Sequence, residues 1–325
     1  MKTKLLDCTI RDGGYINNWN FSDKFVNKLI KTLDNSYDYI ELGYINDNNI
    51  YKGIHGGKWR NLNLKTLQYE SENIKFALMC DNKTFKNSLF TFKNDNIDLI
   101  RIAFHKHEID DMIKNAIYLK KLGYKISLNA MGTITYSDDE LKYLCKKYTE
   151  NNFEYLYIAD SYGGMYPNDI KKIQNKIIEY TSNNVKIGFH AHNNLQNGIN
   201  NVFFCIDNNF DIVDTTVLGM GRGVGNAQTE LLLFKLQKCY NNYEPYNIIK
   251  FINEEMREIC LKKKNYLPYL ISGYFNCHPS YVSKILEYNI YDYCKIWKIL
   301  EMISNTKNKN IFDKLYFDNI MKMML

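Results

Sequence analysis

Eight short apolar, β-rich runs recur along this 325-residue chain, each followed by a longer amphipathic segment. They are Lys4–Thr9, Tyr39–Gly43, Ile74–Met79, Leu99–Phe104, Lys125–Ala130, Tyr155–Ala159, Val185–His190 and Ile212–Val217. Such alternation predicts a parallel sheet, because parallel neighbours need a crossover and a helix supplies one. Eight strands close that sheet into a (β/α)₈ TIM barrel, and a barrel of this kind uses about 250 residues or more as one unit. An open doubly wound sheet is the structural rival. Among the intervening segments, Ser22–Leu33 has Ser22 as N-cap and Phe25, Leu29 and Leu33 spaced four apart. Asp139–Lys147, Asn168–Tyr180 and Gln228–Tyr240 read as further helices.

The alternation stops near Glu244. Beyond it, Phe251–Leu261, Tyr281–Glu287 and Tyr293–Ile303 are predicted helices, with Pro268 and Pro279 as breakers. The expectation is a barrel over residues 1–243 and a helical C-terminal extension over 244–325, packed on the barrel or on a second subunit.

Polar residues stand at the ends of the strands, where active sites of such barrels lie. Arg11 and Asp12 follow the first strand, Glu41 and Tyr44 mark the second, and His105 follows the fourth. Asn129 ends the fifth, Asp160 and Ser161 follow the sixth, and His190 and His192 end the seventh. An H-x-H at a strand terminus aims two imidazoles at one point, because alternate strand side chains share a face. Such a pair can simply pack. Joined by the Asp12 carboxylate at another strand end, it forms an open three-ligand set for a divalent ion. After the eighth strand, Gly219, Gly221, Gly223 and Gly225 interrupt a loop containing Arg222 and Asn226. That loop leads into a helix whose N-terminus favours anions. The segment Tyr44–Leu62, with Lys58 and Arg60, is either a lid with substrate-facing cations or a surface excursion. In the extension, Tyr274 and His278 sit in an apolar setting.

Composition limits the alternatives. The net charge of +6 comes from lysines and arginines spread along the chain, so no nucleic-acid patch is indicated. No run of 18 apolar residues predicts a membrane span. Eight cysteines without a C-x-x-C pair suit buried thiols in a reduced, cytoplasmic protein.

The segments D-C-T-I-R-D-G, I-E-L-G, D-S-Y-G, H-A-H-N-N-L and G-R-G-V-G-N-A together resemble the DRE-TIM metallolyase superfamily. That superfamily includes 3-hydroxy-3-methylglutaryl-CoA lyase, isopropylmalate and homocitrate synthases, pyruvate carboxyltransferase domains and 4-hydroxy-2-oxovalerate aldolase. H-A-H-N-N-L-Q-N-G is most similar to the aldolase branch. By this resemblance Asp12, His190 and His192 bind one Mn²⁺ or Mg²⁺, and Arg11 stabilises an enolate oxygen. Glu41 orients Arg11, and Ser161 holds the carboxylate of a 2-oxo acid. Asn129, His105 and Asn226 are further candidate substrate-binding residues. One departure stands out: the aldolases carry a catalytic histidine where this chain has Tyr15. The proton-transfer group is then Tyr15, Tyr274, His278 or His105.

The expected function is a metal-dependent aldolase that cleaves or forms a 4-hydroxy-2-oxo acid through a pyruvate enolate. The alternatives are a Claisen-type acyl-CoA/2-oxo acid synthase and a non-catalytic barrel that binds a partner. The expected partners are a small 2-oxo acid and an aldehyde, sugar-derived or acidic. A homodimer is expected, and nothing in the sequence identifies an interface for a partner dehydrogenase.

Overall fold

The structure, a computed structural model, describes residues 3–46, 56–240, 243–256, 266–290 and 293–324, apart from a few side chains within helices. Its centre is a closed barrel of eight parallel strands in sequence order. The strands are β1 (Lys4–Asp7), β2 (Tyr39–Tyr44), β3 (Lys75–Asp81), β4 (Ile97–Phe104), β5 (Lys125–Met131), β6 (Tyr155–Asp160), β7 (Ile187–Ala191) and β8 (Ile212–Thr215). Closure comes from β1 pairing with β8, Lys4 opposite Ile212 through Asp7 opposite Thr215. All eight expected strands are present, with ends shifted by at most two residues.

Twelve α-helices lie among the described residues. They are α1 (Gly14–Asn17), α2 (Asp23–Leu33), α3 (Ile109–Lys121), α4 (Asp138–Asn151), α5 (Pro167–Tyr180), α6 (Gly198–Asp207), α7 (Thr229–Tyr240), α8 (Pro245–Glu255), α9 (Tyr266–Tyr274), α10 (Pro279–Glu287), α11 (Tyr293–Ser304) and α12 (Lys314–Met324). The Ser22 hydroxyl accepts from the Phe25 N–H at 3.1 Å and caps α2, which buries Phe25, Leu29 and Leu33 against the barrel.

Two expectations about the extension are corrected. Pro268 and Pro279 do not break helices; each sits in the first turn of one, α9 and α10. A proline is accommodated there because a first-turn N–H has no intrahelical partner to lose. Likewise α8 starts at Pro245 and ends at Glu255, ahead of the expected Phe251–Leu261, whose last five residues lie outside the described set.

The buried apolar residues form three clusters. The largest fills the space between barrel and surrounding helices and includes Ile248 and Phe251 of α8. A second, containing Leu6, Cys8, Tyr39, Leu99, Tyr155 and Tyr157, occupies the barrel interior. The third belongs to the extension, from Ile271 to Met321. That extension rests on the loops after β6, β7 and β8. A Cβ on Gly223 would come within 2.8 Å of the Tyr269 ring, and one on Gly164 within 2.7 Å of the Gly273 carbonyl. No described helix is long and apolar enough to cross a membrane. The described cysteines are free thiols, buried except for Cys239; Cys260 and the Cys294 side chain lie outside the described residues.

Candidate active site

A cavity of about 220 Å³ opens at the C-terminal mouth of the barrel. Arg11, Asp12, Tyr15, His105, Asn129, Ser161, His190, His192 and His278 all line it. Segments separated by more than 260 residues thus converge because each lies near or just beyond the C-terminal end of a strand or, for His278, caps a helix of the extension. Asp81, Tyr162, Arg222 and Asn310 share the wall, and sequence reading did not assign them to the site.

At the base, ligand atoms of Asp12, His190 and His192 lie within 4.8 Å of one another. His190 Nε2 is 3.5 Å and His192 Nε2 3.8 Å from Asp12 Oδ2. The opposite ring nitrogens are occupied: His190 Nδ1 pairs with Asp214 Oδ2 at 2.8 Å, and His192 Nδ1 with the Asp160 carbonyl at 2.9 Å. Holding Nδ1 in this way fixes the ring and presents Nε2 as a ligand. His190 Nε2 is buried and has no hydrogen-bond partner among the described residues. Such an orphaned nitrogen beside a carboxylate and a second imidazole fits a divalent cation. A second cluster of possible ligands, Cys8, His190 and Asp214, is a supporting layer. There Asp214 already orients His190, and burial pushes the Cys8 thiol well above its ordinary range.

Beneath the cluster runs a buried ionic layer. Arg11 Nε donates to Glu41 Oε2 at 2.7 Å, and its Nη1 lies 2.8 Å from Asp12 Oδ1. Arg101 Nη1 reaches the same Glu41 oxygen at 2.9 Å, while its Nη2 pairs with Asp214. The Arg101 guanidinium lies 4.5 Å over the Tyr157 ring, and the Tyr157 hydroxyl donates to Asp214 at 2.8 Å. Two guanidiniums and three carboxylates therefore form one connected unit. Burial alone would raise the Asp12 carboxyl, yet Arg11 and the two histidines hold it well below its ordinary range. Burial opposes the charged form of His190, but Asp12 and Asp214 outweigh it and raise its pKa. His192 falls to about 3 through burial and the neighbouring His190.

Not every expected side chain faces the cavity. The Asn226 amide donates to Asp12 Oδ2 and to the Met220 carbonyl at 3.0 Å, and the residue is absent from the cavity wall. Its amide holds the Asp12 carboxylate from outside the cavity, so the expected place on the wall is corrected. Lys58 pairs with Asp23 on the surface, and Arg60 is buried 4.4 Å from the Trp19 ring and 4.5 Å from that of Tyr44. Neither lines the cavity; aromatic packing and a surface carboxylate claim the two cations. Residues 47–55 of the expected lid, and the Tyr274 side chain, lie outside the described residues. Arg101 and Asp214 escaped notice although each carries a signal, a charge inside an apolar strand of a sheet buried on both faces.

This arrangement, a (β/α)₈ barrel with a carboxylate and two imidazoles at its C-terminal mouth, is that of the DRE-TIM lyases. A family model described as HMGL-like matches residues 2–250. The 4-hydroxy-2-oxovalerate aldolase of Geobacillus genomosp. 3 is 29% identical over 240 residues, 72% of this chain and 70% of the relative. The oxaloacetate decarboxylase of Mycobacterium tuberculosis is 24% identical over the same shares. The solved N-terminal domain of a Bacteroides vulgatus protein described as an aldolase candidate superposes with a TM-score of 0.79 at 32% identity, covering 88% of this chain and 97% of that one. The HMG-CoA lyase of Brucella melitensis shares the fold, with a TM-score of 0.62 at 11% identity over 81% of this chain and 99% of its own. The chain belongs to the HMGL-like family and is an enzyme of the lyase and aldolase class, whose members use a divalent metal.

Proposed function

We propose that this enzyme is a divalent-metal-dependent aldolase that cleaves or forms a 4-hydroxy-2-oxo acid through a pyruvate enolate. The observation that carries the reading is the buried His190 Nε2, left without a hydrogen-bond partner among the described residues beside Asp12 and His192 and next to the pinned Arg11. Asp12, His190 and His192 would hold Mn²⁺ or Mg²⁺, which as a hard cation with open positions supplies Lewis-acid polarisation of the 2-oxo acid.

This chain's own groups account for the remaining tasks. Breaking the C3–C4 bond leaves its electron pair on the pyruvyl fragment, and the charge accumulates at the former keto oxygen. Arg11, fixed by Glu41 and Asp12, presents a guanidinium whose geometry needs no rearrangement as that charge develops. The Ser161 hydroxyl, which accepts from the Gly132 N–H at 2.8 Å, keeps its own proton to donate to a carboxylate on the cavity wall. Asn129 is held by the Ser127 hydroxyl at 2.8 Å and presents its amide to the same space.

Proton exchange with the 4-hydroxyl falls to Tyr15. His278 accepts the Ser280 N–H at Nδ1, 3.3 Å away, so the neutral ring carries its proton on Nε2. Burial, with the charge of Arg222, pushes the His278 pKa down to about 3, which makes it a donor and a poor base near neutrality. Burial likewise lowers His105. Tyr15 lines the cavity with its ring edge-on to Trp19 at 4.6 Å. In condensation its phenol protonates the alkoxide formed from the aldehyde; in cleavage the phenolate takes that proton back. On this reading residues 1–243 supply the chemistry, and the extension, 244–325, closes the mouth with His278 and Asn310. Free buried thiols support a cytoplasmic location.

The test is a panel of 2-oxo acids with Mn²⁺, followed by coupled reduction of released pyruvate, with solvent exchange of the pyruvate methyl protons as the report of enolisation. Oxaloacetate belongs in the panel because loss of CO₂ from it yields the same enolate. An absence of both exchange and cleavage defeats the aldolase reading, and release of free CoA from acetyl-CoA with a 2-oxo acid replaces it by the synthase.

A further inference from the structure

The buried layer and the cation it suits leave one charge on the cavity wall without a counterpart. Arg11 and Arg101 face Asp12, Glu41 and Asp214, a net charge of minus one within the connected unit. A divalent ion with neutral imidazoles brings this to plus one, and the carboxylate of a bound 2-oxo acid brings it to zero. Arg222 stands outside that balance. It lines the cavity, and among the described residues its guanidinium makes no ion pair or hydrogen bond. Its neighbour is the Tyr15 ring, with the centroid 5.8 Å away. Asp81, the other carboxylate on the wall besides Asp12, accepts the Lys83 N–H at 3.0 Å and does not pair with Arg222.

The backbone that carries Arg222 is fastened on both sides. Its carbonyl accepts the Gly225 N–H at 3.0 Å, and the Gly225 carbonyl accepts the Asn193 N–H at 2.8 Å. Gly225 has φ +87°, and a Cβ there would lie 1.8 Å from the Gly219 carbonyl oxygen, so the loop closes only with glycine. On its outer side Gly223 meets the Tyr269 ring of the extension. A long cationic side chain on a fastened loop, aimed into a cavity and unpaired, is built to receive an anion. Two further donors share the mouth, the Tyr15 hydroxyl and the Nε2–H of His278, and burial, helped by the charge of Arg222, keeps the imidazole neutral.

We propose that Arg222 anchors a second anionic group, a carboxylate or phosphate at the far end of the aldehyde partner, and so makes the enzyme selective for anionic aldehydes. The proposal rests on the aldolase reading and deepens it by assigning the class of aldehyde. Arg222 is then a specificity-determining residue, separate from Arg11, which serves the reacting oxygen.

The experiment measures condensation of pyruvate with matched aldehydes in the presence of Mn²⁺: glyoxylate against acetaldehyde, and glyceraldehyde 3-phosphate against glyceraldehyde. The full-length enzyme should prefer at least one anionic member by about 10- to 100-fold in kcat/KM, as expected for a charged hydrogen bond, and the preferred pair tells carboxylate from phosphate. Arg222→Gln should collapse that ratio towards unity through KM of the anionic aldehyde, and Arg222→Lys should restore part of it. A wild-type enzyme that uses neutral aldehydes equally well, or an R222Q variant that keeps the preference, overturns the proposal. If R222Q fails to fold, the wild-type ratio alone still decides. Methyl-proton exchange separates the two levels. With exchange intact and the ratio flat, Arg222 has no such role; without exchange in the wild type, the aldolase reading falls and takes the proposal with it.

Discussion

The two sides of the cavity are built in opposite ways. On the side formed by β1, β4, β7 and β8, Asp12 meets Arg11, Asn226 and both histidines, and Asp214 meets Arg101, Tyr157 and His190. On the side formed by α1, the Gly-rich loop and the extension, Arg222 has no ion pair among the described residues, Tyr15 is 38% exposed and the His278 ring makes one hydrogen bond there, from the Ser280 N–H. Dense pairing fixes geometry at the reacting centre, where small displacements are costly. Sparse pairing leaves donors available to a ligand. On the proposed reading the dense side holds the cation and faces the enolate, and the sparse side offers Tyr15 for proton transfer and Arg222 for choosing the aldehyde.

That contrast can be broken first at the metal ligands. His190→Ala should reduce activity below detection and abolish Mn²⁺ binding measured by titration calorimetry. Full activity in excess chelator would contradict it. Tyr15→Phe removes a hydroxyl from the sparse side and keeps the ring. Cleavage should fall about 10²–10⁴-fold while Mn²⁺ affinity is retained, and a near wild-type rate would move proton transfer to another group. Arg11→Lys keeps the charge but loses the planar fork shared by Glu41 and Asp12. Turnover should drop about 10²–10³-fold with KM little altered, whereas a raised KM at constant kcat would make Arg11 a binding residue only.

Smaller effects sharpen the comparison. Asn226→Ala removes the donor that holds Asp12 Oδ2 and leaves Arg11 on the other oxygen, and Mn²⁺ affinity should weaken about 10- to 100-fold with the cavity wall unchanged. The smallest effect concerns Asp7 on β1, a buried carboxyl that burial raises to about 7 despite hydrogen bonds from Thr9 and Thr229. With a folded pKa above the unfolded value of about 3.9, the fold favours the protonated form. Its stabilising contribution is complete below the unfolded pKa and is lost as pH rises towards 7. Asp7→Asn should raise Tm relative to wild type at pH 8 and lose that advantage by pH 4; the reverse trend would show that the hydrogen bonds to the carboxylate dominate.

Much of the dense side was legible before any coordinates. Arg11, Asp12, Glu41, His190 and His192 are found by counting to strand ends, since strand polarity brings those ends to one rim. Arg101 and Asp214 were not, because a charge within an apolar strand signals burial without naming its partner. The sparse side was harder. Arg222 reads as an ordinary loop residue, and Asn226, four residues later, reads as a substrate-binding candidate. Lys58 and Arg60 read either as lid cations or as part of a surface excursion, and Asp23, Trp19 and Tyr44 are the groups they meet.

By itself the sequence determined the barrel, its strand number and the rim on which chemistry is placed. Those properties follow from local periodicity and from the fixed geometry of strand and crossover. The tertiary structure alone decided which charges pair, which histidine nitrogen remains open and which loop cation stays unpaired. Pairing in a low-dielectric interior depends on which side chains come within a few ångströms, and that distance is set by the closed barrel and its docked extension, not by separation along the chain.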